Sequence, residues 1–424
     1  MKREVFPSTL RGEIAAPGSK SIAQRLVAGA LLSKGETIIR NYPNSEDCKA
    51  ALSVAQALGA IVVQKGNEVI IKGGFPSNFQ AQIRNPKSEI FCGESGLASR
   101  LFTPIAALHD QMISVFGEGS LLTRPFSEFD KVLPALGAAC ETFQGKLPVR
   151  VQGPLKGGHA TIDGALSSQF LTGLLMALPK ASSDSHIIVN GLTSKPYVSM
   201  TMEVAALFGV EIKHENFEVF HIRAGQNYSA VTTTVPGDWS GAAFLIVAAA
   251  IAADSRIVIR QLSKDITQAD SQILEVLKLA NVRHRWIEAG LEVEASDIHA
   301  FDFDANQCPD LMPPLAVLAA FGNGVSTIKG AKRLLHKESN RAKALQEEFA
   351  KANIRIVIRE DDMMVYPGFS RSATLNAHND HRIAMAAALL GLGHDKITVT
   401  GAHSIDKSYP EFFDHLQALG AKVV

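Results

Sequence analysis

The amino-terminal segment holds the side chains whose types and spacing best suit the binding of an anion. A Pro-Gly turn is followed by Lys20, Ser21 and, about one helical turn later, Arg25. If a helix begins near Ser21, its free N–H groups and its dipole add to two cations and a hydroxyl. This chemistry is typical of an anion site, although an ordinary surface turn before a helix is an alternative interpretation of this segment alone.

The same segment is not a nucleotide-binding P-loop. That motif needs four residues between its glycines and a lysine directly after the second glycine. Here five residues separate Gly12 from Gly18, and Ser19 stands before Lys20. The segment therefore predicts anion binding without ATP, which disfavours a kinase.

Other polar side chains stand near expected junctions between strands and helices, where parallel α/β structures bind ligands. Each is weak evidence alone, but together they suit a ligand that carries phosphate and carboxylate groups. Lys337 and Arg341 are four residues apart and are expected to share the face of one helix. The further candidates are Gly96, Arg124, Ser167, Ser168, Gln169, Ser194, Tyr197, Arg382 and Lys407.

Two acids stand among these cations. Asp310 follows Pro309 and precedes an apolar segment, while Glu338 lies between Lys337 and Arg341. A helix N-cap for Asp310 and a favourable first-turn charge for Glu338 are open alternatives to a catalytic role. Neither acid has the His or Asp neighbours that a metal site requires, so we expect no metal.

A short apolar pattern with a central Gly or Asn indicates the elements that must position these side chains. Each copy follows a helical pattern and precedes a strand-like run, and Gly and Asn tolerate the left-handed turn that ends a helix. The pattern predicts six α/β units, grouped three and three into two domains, with chain crossings near Gly18 and Pro236. The central residues, at spacings of 78, 72, 72, 72 and 67, are Gly59, Gly137, Gly209, Asn281, Asn353 and Gly420.

The composition excludes several classes of function. The 424 residues include 42 basic and 42 acidic side chains, which gives no case for nucleic acid or an anionic membrane. The amino terminus lacks the apolar core of a signal peptide, and the longest apolar run, 241–253, is too short to span a bilayer. Four scattered cysteines suit a reducing compartment. We therefore expect a cytoplasmic protein.

In their order along the chain, these motifs resemble those of the enolpyruvyl transferase family over nearly the whole length. The resemblance implies an α/β fold of two domains, each of three βαβαββ units around a pseudo-threefold axis, an inverse α/β prism. The discontinuous domain, 1–18 plus 236–424, would lie on the phosphoenolpyruvate carboxylate side, and the continuous domain, 19–235, on the shikimate-3-phosphate side. The active site would lie in the cleft between them, closing on its substrates. The matching segments are PGSKS with Arg25, the glycine-rich segment ending at Arg100, Arg124-Pro125, SSQF at 167–170, SKPY at 194–197, Gly237-Asp238, Pro309-Asp310, Lys337-Glu338 with Arg341, NDHR at 379–382, and Lys407.

The Ser-Ser-Gln segment favours the family branch whose acceptor is shikimate-3-phosphate, on the pathway to aromatic amino acids. The implied reaction transfers the enolpyruvyl group of phosphoenolpyruvate to the acceptor's 5-hydroxyl by addition and elimination, releasing phosphate. The resemblance implies no cofactor, and we expect a monomer. The alternatives are an amino-sugar enolpyruvyl transferase of cell-wall synthesis and a non-catalytic anion-binding relative.

The resemblance also implies a role for each candidate residue. Asp310 would be the base for the 5-hydroxyl, and either Glu338 or Lys20 would protonate the methylene. The residues implied to bind shikimate-3-phosphate are Lys20, Ser21, Arg25, Ser167, Ser168, Gln169, Ser194, Tyr197, Asp310 and Lys337. Those implied to bind phosphoenolpyruvate are Lys20, Gly96, Arg124, Gln169, Arg341, Arg382 and Lys407.

Two positions depart from the family pattern. The glycine loop usually reads Gly-Asn-Ala-Gly-Thr, but here Glu94 stands in the second place, beside an expected anionic substrate. Arg333 stands where an asparagine that helps to bind the shikimate phosphate often lies, and an extra cation is compatible with that role.

Overall fold

The computed structural model of the chain describes residues 1–73, 87–264, 267–335 and 337–424. They divide into two units. The discontinuous unit comprises Met1–Ser19 and Pro236–Val424, and the continuous unit comprises Lys20–Val235.

The helices and strands alternate along both units. The α-helices are α1 (Lys20–Leu32), α2 (Glu46–Ala57), α3 (Gly96–Ala106), α4 (Phe129–Ala135), α5 (Ser168–Ala177), α6 (Lys195–Leu207), α7 (Trp239–Ala252), α8 (Ile273–Leu279), α9 (Met312–Ala320), α10 (Arg341–Lys351), α11 (His381–Leu390) and α12 (Phe412–Ala418). Short 3₁₀ helices span Gly119–Thr123, Leu178–Lys180, Ala269–Gln272, Pro309–Leu311, Ala331–Leu334 and Ala402–Lys407. The strands are β1 (Lys2–Val5), β2 (Leu10–Ala15), β3 (Ser33–Lys34), β4 (Glu36–Arg40), β5 (Ile61–Lys65), β6 (Glu68–Lys72), β7 (Glu89–Phe91), β8 (Met112–Phe116), β9 (Ala139–Phe143), β10 (Lys146–Gln152), β11 (Gly158–Asp163), β12 (Ser185–Asn190), β13 (Ile212–Glu215), β14 (Val219–Ile222), β15 (Tyr228–Ser229), β16 (Thr232–Thr234), β17 (Ala253–Arg260), β18 (His284–Ile287), β19 (Gly290–Glu294), β20 (Asp302–Asp304), β21 (Ser326–Lys329), β22 (Ile356–Arg359), β23 (Asp362–Val365), β24 (Ala373–Asn376) and β25 (Ile397–Thr400).

One βαβαββ pattern recurs in both units. In the copy that runs from β11 to β14, β11 pairs with β12 in parallel, with Gly158 opposite Ser185 and Asp163 opposite Asn190. The hairpin of β13 and β14 then adds to β12 through antiparallel pairing. The sheets β7-β8-β10-β9, β16-β4-β6-β5, β20-β21-β23-β22 and β2-β17-β19-β18 repeat this order, and β1-β25-β24 is a three-stranded variant. The predicted six α/β units are therefore confirmed.

The helix ends predicted from Gly and Asn are also confirmed. All six marked residues adopt positive φ, between 56° at Asn281 and 102° at Gly420. In five of the units, the marked Gly or Asn lies between a helix and the strand that follows. Gly and Asn occur there because they tolerate the left-handed conformation that ends the helix.

One helix of each repeat is buried almost completely. Helices α1, α3 and α5 fill the continuous unit, and α7, α9 and α11 fill the discontinuous unit. Apart from a few polar residues, most of them in the first two turns, their sequences are apolar, as expected of helices with no solvent face. Gly173 permits close packing of α5 on α3, since a Cβ there would lie 2.3 Å from the Arg100 carbonyl oxygen.

The two crossings of the chain lie side by side in the discontinuous unit. Ser19 N donates to Pro236 O over 2.8 Å, and Asp238 N donates to Pro17 O over 2.7 Å. The chain therefore leaves this unit and returns to it at adjacent points. Within the described ranges, no helix combines the length and the hydropathy needed to cross a membrane.

Candidate functional site

Six of the predicted site residues lie at or next to the starts of the buried helices. Free N–H groups and the helix dipole favour anions at such ends, so cations placed there reinforce the same preference. The residues at these positions are Lys20 and Ser21 on α1, Gly96 on α3, Ser168 on α5, Asp310 directly before α9, and Arg382 on α11.

Arg25 is a buried cation on α1. Its guanidinium is 1% exposed and donates to Thr201 Oγ1 over 2.9 Å and to the Ser21 carbonyl over 2.8 Å. Weaker bonds reach Thr172 Oγ1 and the Tyr197 carbonyl at 3.4 and 3.2 Å. Burial lowers the pKa of Arg25 to about 10. Within the described residues its hydrogen-bond partners are neutral oxygens, so an anionic ligand would compensate its charge.

Lys20 pairs with an acid that sequence reasoning missed. Its Nζ lies 2.9 Å from Asp47 Oδ2, and both side chains are largely buried. Asp47 lies in the first turn of α2, where its charge also complements the helix dipole. The position of Asp47 at the start of a predicted helix could have marked it as a candidate. No local sequence pattern, however, indicates that it pairs with Lys20.

Arg124 packs directly on the backbone of Gly96. A Cβ at Gly96 would lie 2.1 Å from Arg124 Nη1 and 2.7 Å from Cζ, so a side chain there would displace the Arg124 guanidinium. Arg100 lies nearby on α3 and donates from Nη1 to Gln169 Oε1 over 2.9 Å. The structure therefore brings Gly96 together with Arg124, and links Gln169 to the same helix through Arg100.

Glu94 is held by the turn that follows β8. Its Oε2 accepts from both the backbone N–H and the hydroxyl of Ser120, each over 2.9 Å. A Cβ at Gly119 would lie 2.4 Å from the Glu94 carboxyl carbon, and the φ of 56° at Gly119 also favours glycine. The acid that departs from the family pattern is thus part of a local turn structure.

The predicted phosphate-binding serines lie at two helix starts. Ser167 caps α5, since its Oγ accepts from Gln169 N over 3.2 Å, and Ser168 follows as the first residue of that helix. Ser194 precedes α6 with a left-handed φ of 58°. Tyr197 lies in the first turn of α6, and its carbonyl links that turn to Arg25.

In the discontinuous unit, three cations surround the Asp310 carboxylate. Lys337 Nζ lies 3.2 Å from Oδ1, and Arg341 Nη1 lies 2.8 Å from the same oxygen. Arg382 Nη2 lies 3.1 Å from Oδ2. These four predicted residues therefore form one cluster, in which Asp310 contributes charge rather than a helix cap.

Arg341 is held by carboxylates on several sides. Its Nε and Nη2 bond to Asp380 over 2.8 and 3.2 Å, and Nη2 also lies 2.5 Å from Glu338 Oε2. Burial disfavours its charge, but the carboxylates of Asp380, Glu338 and Asp310 raise the pKa of Arg341 above its usual range. Asp380, which caps α11, was part of a quoted motif, but its contact with Arg341 was not predicted.

The predicted helix placement of Lys337 is wrong. Helix α10 begins at Arg341 because Asn340 caps it, accepting from Lys343 N over 3.2 Å. Lys337 precedes the helix, and burial lowers its pKa, an effect that Asp310 opposes. Lys407 Nζ donates to the Asn379 carbonyl over 2.6 Å, which places it beside the start of α11.

Two residues that sequence reasoning did not single out lie behind Arg382. Ser240 Oγ accepts from Arg382 Nη2 over 2.7 Å and donates to Asp270 Oδ2. Burial, followed by the charge of Asp310, raises the pKa of Asp270 to about 7. In the part of the chain that the structure describes, no group of three or more His, Cys, Asp or Glu side chains is placed to hold a metal ion.

Comparison with known proteins gives a consistent result. Residues 6–416 match a family described as EPSP synthase (3-phosphoshikimate 1-carboxyvinyltransferase). A 3-phosphoshikimate 1-carboxyvinyltransferase from Methanocella arvoryzae is 38% identical over 432 residues, covering 100% of both chains. Another, from Clostridium kluyveri, is 34% identical over 422 residues, covering 99% of this chain and 97% of that protein.

Solved structures resemble the fold of this chain. The EPSP synthase from Acinetobacter baumannii has a TM-score of 0.83 at 24% identity, covering 100% of this chain and 99% of that one. The enolpyruvyl transferase NikO from Streptomyces tendae has a TM-score of 0.78 at 18% identity, covering 100% and 98%. The enolpyruvyl transferase fold expected from the sequence is confirmed.

Proposed function

The chain belongs to the EPSP synthase family, and on that premise we propose that it transfers the enolpyruvyl group of phosphoenolpyruvate to the 5-hydroxyl of shikimate-3-phosphate. The observation that carries the proposal is the Asp310 carboxylate, placed at the start of a buried helix among Lys337, Arg341 and Arg382. A carboxylate suits the removal of a hydroxyl proton, and the cations suit the anionic groups of both substrates.

The reaction needs one base and one acid. Asp310 takes the proton of the 5-hydroxyl while that oxygen bonds to the vinyl carbon bearing the phosphate. The methylene carbon gains a proton, and the tetrahedral intermediate then loses phosphate and a methyl proton to form the enol ether of the product. Glu338 and Lys20 are the two candidate proton donors, and solvent deuterium incorporation in Glu338→Gln and Lys20→Met distinguishes them.

In the discontinuous unit, Arg341 and Arg382 bind the phosphoenolpyruvate carboxylate. Both guanidinium groups present planar forks that match a carboxylate. Each guanidinium donates one hydrogen bond to the Asp310 carboxylate, which supports the proposal that both can bind an anion. Lys407 binds the phosphate that leaves, and Lys337 binds the phosphate of the acceptor.

In the continuous unit, Arg25 and Ser21 bind the shikimate carboxylate, which would compensate the buried Arg25 charge. Tyr197 packs near the ring. The acceptor phosphate is bound by Ser167, Ser168 and Ser194, and the departing phosphate by Lys20, Arg124 and Gln169 beside Gly96. Neither set of residues suffices alone for the reaction, because the base lies in one unit and most phosphate ligands in the other.

We also propose that the protein acts as a monomer in the cytoplasm and needs no cofactor. Light scattering of the purified protein tests the first statement. Activity measured after dialysis against EDTA tests the last.

Phosphate release from phosphoenolpyruvate tests the function. Release that depends on shikimate-3-phosphate, and that falls about 10² to 10⁴-fold in Asp310→Asn, is expected. Phosphate release that depends instead on a nucleotide amino sugar would identify the protein as an enolpyruvyl transferase of cell-wall synthesis. Binding of both substrates without any release would make it an anion-binding relative.

A further inference from the structure

A buried acid, Asp270, lies behind the proposed phosphoenolpyruvate site without reaching into it. It lies in the 3₁₀ helix Ala269–Gln272, is 2% exposed, and accepts a hydrogen bond from Ser240 Oγ. Within the described residues, no donor reaches its other oxygen, Oδ1. Burial and the neighbouring charge of Asp310 disfavour its ionised form, while the charge of Arg382 and the Ser240 hydrogen bond favour it.

The Ser240 hydroxyl connects Asp270 to Arg382 through two hydrogen bonds. A hydroxyl has one proton, and here that proton points at Asp270, so only lone pairs face Arg382. Arg382 Nη2 donates to Ser240 Oγ over 2.7 Å and to Asp310 Oδ2 over 3.1 Å. Nη1 donates to the Asp310 carbonyl over 3.3 Å.

We infer that Asp270 is a positioning residue that, through Ser240, holds the Arg382 guanidinium in the orientation that binds the phosphoenolpyruvate carboxylate. This inference rests on the function proposed above. When a substrate carboxylate replaces Asp310 on the fork, the Ser240 bond remains. Nη2 then keeps one fixed partner, so less rotamer freedom is lost on binding.

The segment that carries Asp270 has anchors of its own. Gln268 Nε2 donates to the Gly237 carbonyl over 2.8 Å, and Gln268 Oε1 accepts from Trp239 N over 3.0 Å. These bonds hold the segment against the start of α7 independently of the carboxylate. Replacing Asp270 by Asn is therefore expected to preserve the backbone while changing the direction of the Ser240 hydroxyl, because an amide N–H₂ can donate to it.

Steady-state kinetics test the inference with three variants. Asp270→Asn and Ser240→Ala should each raise KM for phosphoenolpyruvate about tenfold, the effect of losing one hydrogen bond to a charged group. KM for shikimate-3-phosphate should stay within about twofold, since Arg382 does not bind that substrate in the proposal. The double variant should be no worse than either single variant, because both act through one hydroxyl.

Glu348→Gln is the matched control. Glu348 is a buried acid of the same unit, but its partners are Lys351, His378 and Asn376. Its replacement removes a buried carboxylate without touching the Arg382 chain, so it should change stability but neither KM.

Five outcomes are informative. An unchanged KM for phosphoenolpyruvate in Asp270→Asn would overturn the positioning role. Equal rises in the KM values of both substrates would also overturn it, and Glu348→Gln shows how large a rise the loss of a buried carboxylate alone produces. Additive effects in the double variant would remove Ser240 as the link. If Asp270→Asn fails to fold, Ser240→Ala still tests the split between the two KM values. Absence of turnover in the unaltered protein would instead contradict the proposed function, and so is distinguishable.

Discussion

Arg341 and Asp380 form a two-bond ion pair with almost no exposure to solvent. Nε lies 2.8 Å from Oδ2 and Nη2 lies 3.2 Å from Oδ1, and the two side chains are 1% and 0% exposed. The pair fixes one edge of the guanidinium, so that Nη1 faces Asp310. Asp380 thus fixes the orientation of the Arg341 guanidinium, which we propose binds the carboxylate of phosphoenolpyruvate.

Removing the charge of Asp380 should destabilise the protein. Asp380→Asn is expected to lower the free energy of unfolding by about 3 kcal/mol, because it leaves a buried guanidinium partly uncompensated. Urea denaturation measures the change. Glu347→Gln is the control, because it breaks an exposed ion pair between Glu347 and Lys343 on α10. It should lower the free energy of unfolding by less than about 0.5 kcal/mol. Equal values for the two variants would contradict the assignment.

A side chain at position 96 should displace Arg124. The Cβ of Gly96→Ala would overlap Nη1 at 2.1 Å, and a misplaced cation binds the departing phosphate poorly. KM for phosphoenolpyruvate is expected to rise about tenfold or more, while the protein stays folded. Gly368→Ala, where the nearest heavy atom would lie at 3.3 Å, should leave the kinetics unchanged. Wild-type kinetics in Gly96→Ala would mean that Arg124 is not a ligand.

Replacing Glu94 should affect folding more than substrate binding. Its two bonds to Ser120 are charge-assisted, so Glu94→Ala is expected to cost about 1.5–3 kcal/mol of unfolding free energy. KM for phosphoenolpyruvate should change less than about twofold, since the carboxylate is engaged by the turn. Glu118→Ala removes an exposed acid from the same turn and serves as the comparison. A large fall in KM with unchanged stability would show that Glu94 repels the substrate.

As pH rises, the affinity for shikimate-3-phosphate should begin to weaken at a lower pH than it would if Lys337 had the pKa of an exposed lysine. Burial lowers the pKa of Lys337 below 10.5, so its ammonium loses charge as pH rises through that lower value. KM for shikimate-3-phosphate should therefore rise below pH 10.5, and Lys337→Arg, which keeps its charge, should lack this limb. Identical profiles for both proteins would remove Lys337 from the phosphate site.

Local chemistry explains what could be predicted from the sequence. The six helix ends depend on Gly or Asn at one position each, and helix starts such as that of α1 depend on neighbouring residues. The buried helices follow from their apolar composition. Such features need no knowledge of distant contacts.

The missed contacts all join distant parts of the chain. Asp47 lies 27 residues from Lys20, Asp380 lies 39 from Arg341, and Ser240 lies 142 from Arg382. No local pattern distinguishes these acids and hydroxyls from ordinary helix caps, because their partners are set by tertiary packing, within one repeat for Asp47 and between repeats for Asp380 and Ser240. The direction of Glu94 likewise depends on Ser120, 26 residues later.

The adjacent chain crossings make the continuous unit an insertion within the sequence of the discontinuous unit. Because Ser19 N bonds to Pro236 O and Asp238 N bonds to Pro17 O, the entry and exit points of the insert are already joined in the host unit. A short linker from Ser19 to Pro236 would close the host, and new termini at the same points would yield the insert as a separate gene product. We therefore expect that a chain with its ends permuted to these crossing points forms the same sheets.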